Sequence, residues 1–403
     1  MTTKVVVQQI GARMDYAVAR GLHNQNMLAK LVTDLHLPKW IAEMSGKARR
    51  YESGMEPEVV SSSIVSGFLY KAFLRAGSGA VWPHIFAAEA IAPRTVKAVR
   101  ETKARILYGY DTALLPVIPQ VQELGCDVVL EQCIAPRRHL IEQLPRLSKK
   151  LAEIGISQTE AGIRELFGYL ELLSAIEQSE WRGASLIVCP SEFVKDELVK
   201  SGVPPERIVI IPYGVNVASG GIARKPVNLS GMPKVAFVGG FSYRKGAIEY
   251  CRLAERYAQT AEFHCFGTVM IPEKVMRGVS GGVVFRGHLS REHLFRELAG
   301  FDILVLPSYS EGSATVIYEC MALGLVCVVS KECGSVIRTG IDGVVFDAGD
   351  DEGLYSAFEE VASSPNLRAV FAREAEATSR RYTREGYGLR VTEAINLFRN
   401  TLQ

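Results

Sequence analysis

No two of the eight cysteines form a CxxC pair, and several sit inside apolar strand or helix patterns. They read as buried thiols in a reducing compartment, not as a disulfide framework. Charge of neither sign is in excess. The formal net charge is +2, which gives no footing for nucleic-acid binding. No apolar run reaches the roughly 18 residues of a membrane-spanning helix. The apolar part of the opening MTTKVVVQQIG is too short for a signal peptide. No strict Asp-x-Asp occurs, and the seven histidines show no metal-ligand spacing, so no required metal is expected. These absences leave a soluble, cytoplasmic protein. Its 403 residues, 48% apolar and 22% charged, are too many for one ordinary core, and two domains are expected.

What is present is a repeating alternation. Short apolar runs give way to glycine or small-residue turns, then to helical spacing, in both halves. That pattern predicts α/β architecture with parallel sheets. In the first half, Lys4–Ile10 reads as a strand closed by Gly11, and the segment from Asp15 to Val32 has helical spacing. A ligand could approach the backbone at Gly11, although a turn alone also explains the glycine. Arg94, Lys97, Arg100 and Lys103 make a basic helix face, solvated or turned to an anionic surface. Strands at 104–108 and 127–130 end in polar residues. Open α/β sheets place ligands at such ends, so Asp111, Glu131 and Gln132 become acceptor-side candidates, with His139 weaker. Each of them also has a capping or structural reading. Residues 217–233 have linker composition.

The second half restarts with a strand at 234–238 that runs into GGFSYRKG. Glycines let the backbone approach phosphate, and Lys245 supplies a compact positive charge at a helix start. That charge opposes the helix dipole unless an anion is bound there. The stretch is neither GxGxxG nor a P-loop, so neither dinucleotide nor ATP is indicated. Farther on, the strand at 301–306 leads into PSYSEGSATVIYECMALG. A strand, a small-residue loop and a helix N-terminus make an anion site, here bracketed by Glu311 and Glu319. Carboxylates beside an anion site suit a ligand with hydroxyls as well as phosphate, in other words a sugar nucleotide. Two domains imply a cleft between them to hold it.

Three stretches in order, CPSEFVKDELVKSGVPPERIVIIPYGVN, VGGFSYRKG and PSYSEGSATVIYECMALG, resemble family 4 of the retaining glycosyltransferases, with GARMDYAV as weaker support. The resemblance implies the B-type glycosyltransferase fold, two facing Rossmann-like domains with a cleft between them. It implies an acceptor-side domain over 1–216, a linker over 217–233, a donor domain over 234–380, and a last helix over 381–403 that crosses back to the first domain. It also implies roles. Lys245 would neutralise the donor diphosphate, with Ser242 and Arg244 as further contacts. Glu311 would face the sugar hydroxyls and Glu319 the ribose. Gly312 and Ser313 would hold sugar or phosphate through backbone N–H groups. Gly287 and His288 would cradle the base, and Gly11 would lie at the mouth of the site.

The implied donor is a UDP- or GDP-linked sugar, with no cofactor besides. The implied acceptor is a glycan or lipid-linked hydroxyl in polysaccharide or glycolipid assembly, with peripheral contact at the inner face of a membrane. Two departures stand out. Many relatives carry arginine where this chain has Gly240, so Arg244 would substitute only if turned inward. Relatives often have a histidine after the strand that here ends Leu130-Glu131-Gln132. A nucleotide-sugar epimerase and a non-catalytic sugar-nucleotide-binding protein are the alternative readings.

Overall fold

Strands buried on both faces read as nearly unbroken apolar runs, and the strands of this chain do: VVVQQ, ILVL and VCVVS are buried at every position. A computed structural model describes residues 3–37, 41, 44, 55–75, 82–158, 162–216, 231–279 and 281–401. Seven strands form the first sheet: β1 (Val5–Gln9), β2 (Leu28–Thr33), β3 (Val60–Ser62), β4 (Ile106–Tyr110), β5 (Asp127–Glu131), β6 (Leu186–Cys189) and β7 (Ile208–Ile210). Six form the second: β8 (Lys234–Val238), β9 (Glu262–Phe266), β10 (Val283–Gly287), β11 (Ile303–Leu306), β12 (Val326–Ser330) and β13 (Gly343–Phe346). The spatial orders are β3-β2-β1-β4-β5-β6-β7 and β10-β9-β8-β11-β12-β13. Every pairing is parallel.

Both orders reverse direction once, between β1 and β4 and between β8 and β11. Doubly wound sheets leave a ligand crevice at such points, outside the carboxyl ends of the strands. The expected α/β class with two Rossmann-like sheets is therefore what the chain forms.

One local reading is corrected. The segment 15–32 is not one helix: Ala17–Asn24 is helical, and β2 follows from Leu28. Asn26 takes a left-handed φ of 56° at the break, a conformation that asparagine tolerates better than most residues. Farther on, one helix runs Arg137–Glu153 and the next Ile163–Gly183.

The Arg137–Glu153 helix belongs to the first half in sequence but not in packing. Leu140, Ile141, Leu144, Leu147 and Leu151 recur at helical spacing. All five are buried in the core built on the second sheet, with Tyr243, Ala247 and Tyr309. Ile163 and Leu170 of the following helix join the same core. Conversely, the last helix, Arg384–Thr401, packs on the first domain. Its Tyr387, Val391 and Ile395 are buried with Val5, Val7, Val18 and Leu22. Of the stretch read as a linker, residues 217–230 lie outside the described residues, as do Trp40, Lys47, Arg49 and Arg50.

Candidate active site

The second-domain wall is built by two loops that leave neighbouring strands. After β8, Gly239 takes a φ of 130°, and a Cβ there would sit 3.1 Å from Lys245 Cε. Glycine thus lets the lysine chain lie along the strand end. After β11, the chain passes through Ser308–Ala314 into the Thr315–Ala322 helix. Lys245 Nζ donates to Glu311 Oε1 at 2.5 Å, and Arg244 Nη1 lies 2.7 Å from the same oxygen. Arg244 also donates to the Ser310 carbonyl at 2.6 Å, so it is turned inward. Burial works to raise the Glu311 carboxyl. The Lys245 and Arg244 charges outweigh it and hold the group below the ordinary carboxylate value. Glu319 pairs with Arg291 at 2.7 Å, and Arg291 opens the helix just past Gly287 and His288.

The facing wall comes from the first domain. Arg137 Nη1 lies 2.5 Å from Asp111 Oδ2 and also pairs with the buried Glu177. Burial tends to raise the Asp111 carboxyl, but Arg137 and then Arg13 outweigh it and leave it low. The two walls meet tightly at one side. A Cβ on Gly312 would lie 1.8 Å from the Cys133 carbonyl oxygen. Ser191 Oγ donates to the Gly312 carbonyl at 2.6 Å, and Ala135 N to the Glu311 carbonyl at 3.2 Å. His139 joins the same seam, with Nε2 at 3.0 Å from the Tyr309 carbonyl and Nδ1 at 3.0 Å from Glu197.

Between the walls is a cleft of about 480 Å³. It brings together Lys245, Glu311, Gly312, Ser313 and Glu319 from one side and Asp111 from the other. The first turn of the Thr315–Ala322 helix also lines it, with N–H groups that carry no intrahelical partner. The residues that sequence reasoning missed are Arg13, Cys133, Arg137 and Tyr213. The arginine directly after Gly11-Ala12 was the available signal for the first.

Other expected site residues stand elsewhere. Glu131 is 1% exposed and accepts hydrogen bonds from Tyr108, from Tyr213 at 2.9 Å and from Tyr387 at 2.5 Å. Gln132 is fully buried, donating to Glu177 and Ile134 and accepting from Trp181. The acceptor-side reading of both is thereby corrected: their polar atoms are used inside the domain. Gly11 does not line the cleft; its N–H donates to Asp34 at 2.8 Å. Ser242, Arg244, Gly287 and His288 lie off the cleft lining. Gly240 leaves a space filled by Met270, whose sulfur would be 2.6 Å from a Cβ at that position. Among the described residues, no group of three or more His, Cys, Asp or Glu is arranged to hold a metal.

A doubly wound pair of sheets with cations and a helix N-terminus at a shared cleft defines a protein of the B-type glycosyltransferase fold. Comparison with known proteins agrees. Residues 232–364 match the family described as Glycosyl transferases group 1, and residues 165–219 match Glycosyltransferase Family 4. These two segments of the chain are thus similar to the group 1 and family 4 glycosyltransferases. It is 34% identical over 103 residues to the lipopolysaccharide core biosynthesis glycosyltransferase LpsE of Rhizobium meliloti, covering 25% of this chain and 30% of that protein. It is 28% identical over 207 residues to a D-inositol 3-phosphate glycosyltransferase of Acidothermus cellulolyticus, covering 45% and 46%. The chain thus spans less than half the length of both curated relatives. In fold it is similar to Anabaena Alr3699/HepE in complex with UDP, with a TM-score of 0.62 at 14% identity over 98% of this chain and 99% of that one.

Proposed function

We propose that the protein transfers a sugar from a nucleoside diphosphate sugar to a hydroxyl acceptor, with retention of anomeric configuration and without a metal ion. The observation that carries this reading is the Lys245–Glu311–Arg244 triad beside the Thr315–Ala322 helix N-terminus, facing a separate polar wall across the cleft. Departure of the diphosphate develops negative charge. Lys245 and the helix N–H groups are fixed in place to receive it. Glu311 keeps the two cations gathered and offers its carboxylate to sugar hydroxyls when Lys245 turns to phosphate. Glu319 and Arg291 suit the ribose and the base side. The acceptor hydroxyl enters along the Asp111 wall and attacks from the face the diphosphate leaves.

The relatives named for lipopolysaccharide core biosynthesis and for D-inositol 3-phosphate, and a neighbour that binds UDP, support a UDP- or GDP-linked donor and a glycan or lipid-linked acceptor. Peripheral membrane contact belongs to the same proposal. Phe68, Leu69 and Phe73 are exposed on the Ile64–Arg75 helix, and no helix among the described residues is long and apolar enough to cross a membrane.

The test is a panel of UDP- and GDP-sugars scored by thermal shift, since a ligand of the folded state raises its melting temperature. The binding donor is then incubated with and without glycan acceptors, with and without EDTA. Acceptor-dependent release of nucleoside diphosphate, unaffected by EDTA, and a product of unchanged anomeric configuration are expected. Conversion of donor to an epimer without acceptor would sink the reading. So would binding with no turnover in any combination.

A further inference from the structure

We propose that Arg13, on the first domain, is a donor-binding residue that reaches across the cleft and completes the neutralisation of the diphosphate. The inference rests on the donor reading above. It starts from charge. On the second-domain wall, Lys245 and Arg244 share one carboxylate, Glu311, and Arg291 is matched by Glu319. On the first-domain wall, Arg137 is outnumbered by Asp111 and Glu177. Counted together, these groups cancel, whereas a nucleoside diphosphate brings at least two negative charges. Arg13 is a further cation, which makes no ion pair with any of these carboxylates. It lines the same cleft as Lys245 and Gly239. It is exposed to solvent. Its guanidinium has no hydrogen bond and no ion pair among the described residues. The Tyr110 ring lies 5.4 Å away, and a guanidinium over a ring stays oriented without losing its charge; the Asp111 and Glu131 carboxyls act on that charge from beyond ion-pair distance.

The backbone supports the same role. Arg13 sits in a loop where Gly11, Met14, Asp15 and Tyr16 all have left-handed φ values, 75°, 47°, 50° and 60°. Three consecutive non-glycine residues in that region cost about 1–3 kcal/mol each unless the surroundings hold them. They are held. Gly11 N donates to Asp34, Gln9 Nε2 donates to the Gly11 and Arg13 carbonyls, and Asp15 pairs with Arg384. The loop is fastened from both sides and presents to the cleft a cation with no hydrogen-bonded partner. On the second domain the position after Gly239 has no side chain of its own, and Met270 covers it. Arg13 supplies from across the cleft the charge that Gly240 does not.

The test measures binding, not turnover. Whichever of UDP and GDP stabilises the parent is titrated calorimetrically into the parent, Arg13→Gln and Arg13→Lys. The matching nucleoside, which has no phosphate, serves as the control ligand. Arg13→Gln should weaken the diphosphate at least about tenfold, as expected for a lost charge-assisted bond, and leave the nucleoside unchanged. Arg13→Lys should recover part of the loss. The dependence of diphosphate affinity on salt should be shallower in Arg13→Gln. Equal diphosphate affinity in parent and Arg13→Gln overturns the assignment and leaves the donor reading intact. Equal weakening of nucleoside and diphosphate also overturns it, since that marks a disturbed loop. If neither diphosphate binds the parent, the donor reading itself falls and this inference with it.

Discussion

Glu131 ends β5 and Glu311 follows β11, each in a parallel sheet, and both are nearly closed off from water. Their partners differ in kind. Glu131 is surrounded by three tyrosine hydroxyls and lies within the first domain. Glu311 is surrounded by two cations and lies on a cleft. Burial raises the Glu131 carboxyl, against the pull of its three hydrogen bonds. At Glu311 the same burial is outweighed by charge, and the carboxyl is lowered. The first domain turns several polar groups at its strand ends inward: Gln8 donates to the Ala113 carbonyl at 2.6 Å, and Gln132 bonds Glu177 and Trp181. The second leaves a helix N-terminus and a lysine facing the cleft. A polar residue at a strand end thus becomes a site only where the surrounding chain leaves its atoms a free direction.

The sharpest way to break this contrast is Lys245→Ala. Turnover should fall by about 10²–10³, the usual loss for one preorganised stabilising group, with the far-ultraviolet dichroism unchanged. Retained turnover would remove the second domain's claim to the chemistry. Glu131→Ala should act the other way. Three buried hydroxyls lose their acceptor at about 1–3 kcal/mol each, so urea denaturation should show several kcal/mol lost while turnover per folded molecule stays close to the parent's. Full stability with lost turnover would instead make Glu131 a chemical group.

The smallest effect concerns Glu180, which accepts from the backbone N–H groups of Thr112, Leu114 and Leu115. Burial pushes its carboxyl up to about 8 from an ordinary 4.5, while those bonds pull it down. A raised folded value favours the folded state fully below pH 4.5, and that contribution is lost as pH rises toward 8. Glu180→Gln should therefore flatten the fall in stability across that window, where one group contributes a slope of at most about 1.4 kcal/mol per pH unit. Parallel profiles for parent and variant would show that the carboxyl does not titrate there.

The second-domain site was legible in the sequence because each of its parts is local. Gly239 to Lys245, and Glu311 to Glu319, are each one strand–turn–helix unit whose chemistry is fixed by neighbours in the chain. The first-domain wall is assembled from Arg13, Asp111, Arg137 and Tyr213, drawn from four separate stretches, and no spacing rule links them. Glu131 shows the limit most clearly. Its terminal residue position pointed to ligand, but one of the hydroxyls that occupies it comes from Tyr387, 256 residues away. The break at Asn26 was hidden for a different reason. The apolar residues of LAKLVT continue the helical spacing of the preceding helix, and sheet pairing with β1 decides between the two periods.

The Arg137–Glu153 helix has a consequence for how chains of this fold can be recombined. A seam drawn through the glycine-rich stretch after Asn216 looks natural, because that is where the chain composition changes. It would separate Leu140, Ile141, Leu144, Leu147 and Leu151 from the core in which they are buried. It would also sever Lys150 from Glu249 and Asp351. Along the chain the molecule is two halves, but in its interior the exchangeable unit is interleaved: the second domain with residues 137–170, and the first with the Arg384–Thr401 helix. A chimera that respects the burial, and not the change in composition, carries the Lys245–Glu311 wall of the cleft in a body already packed.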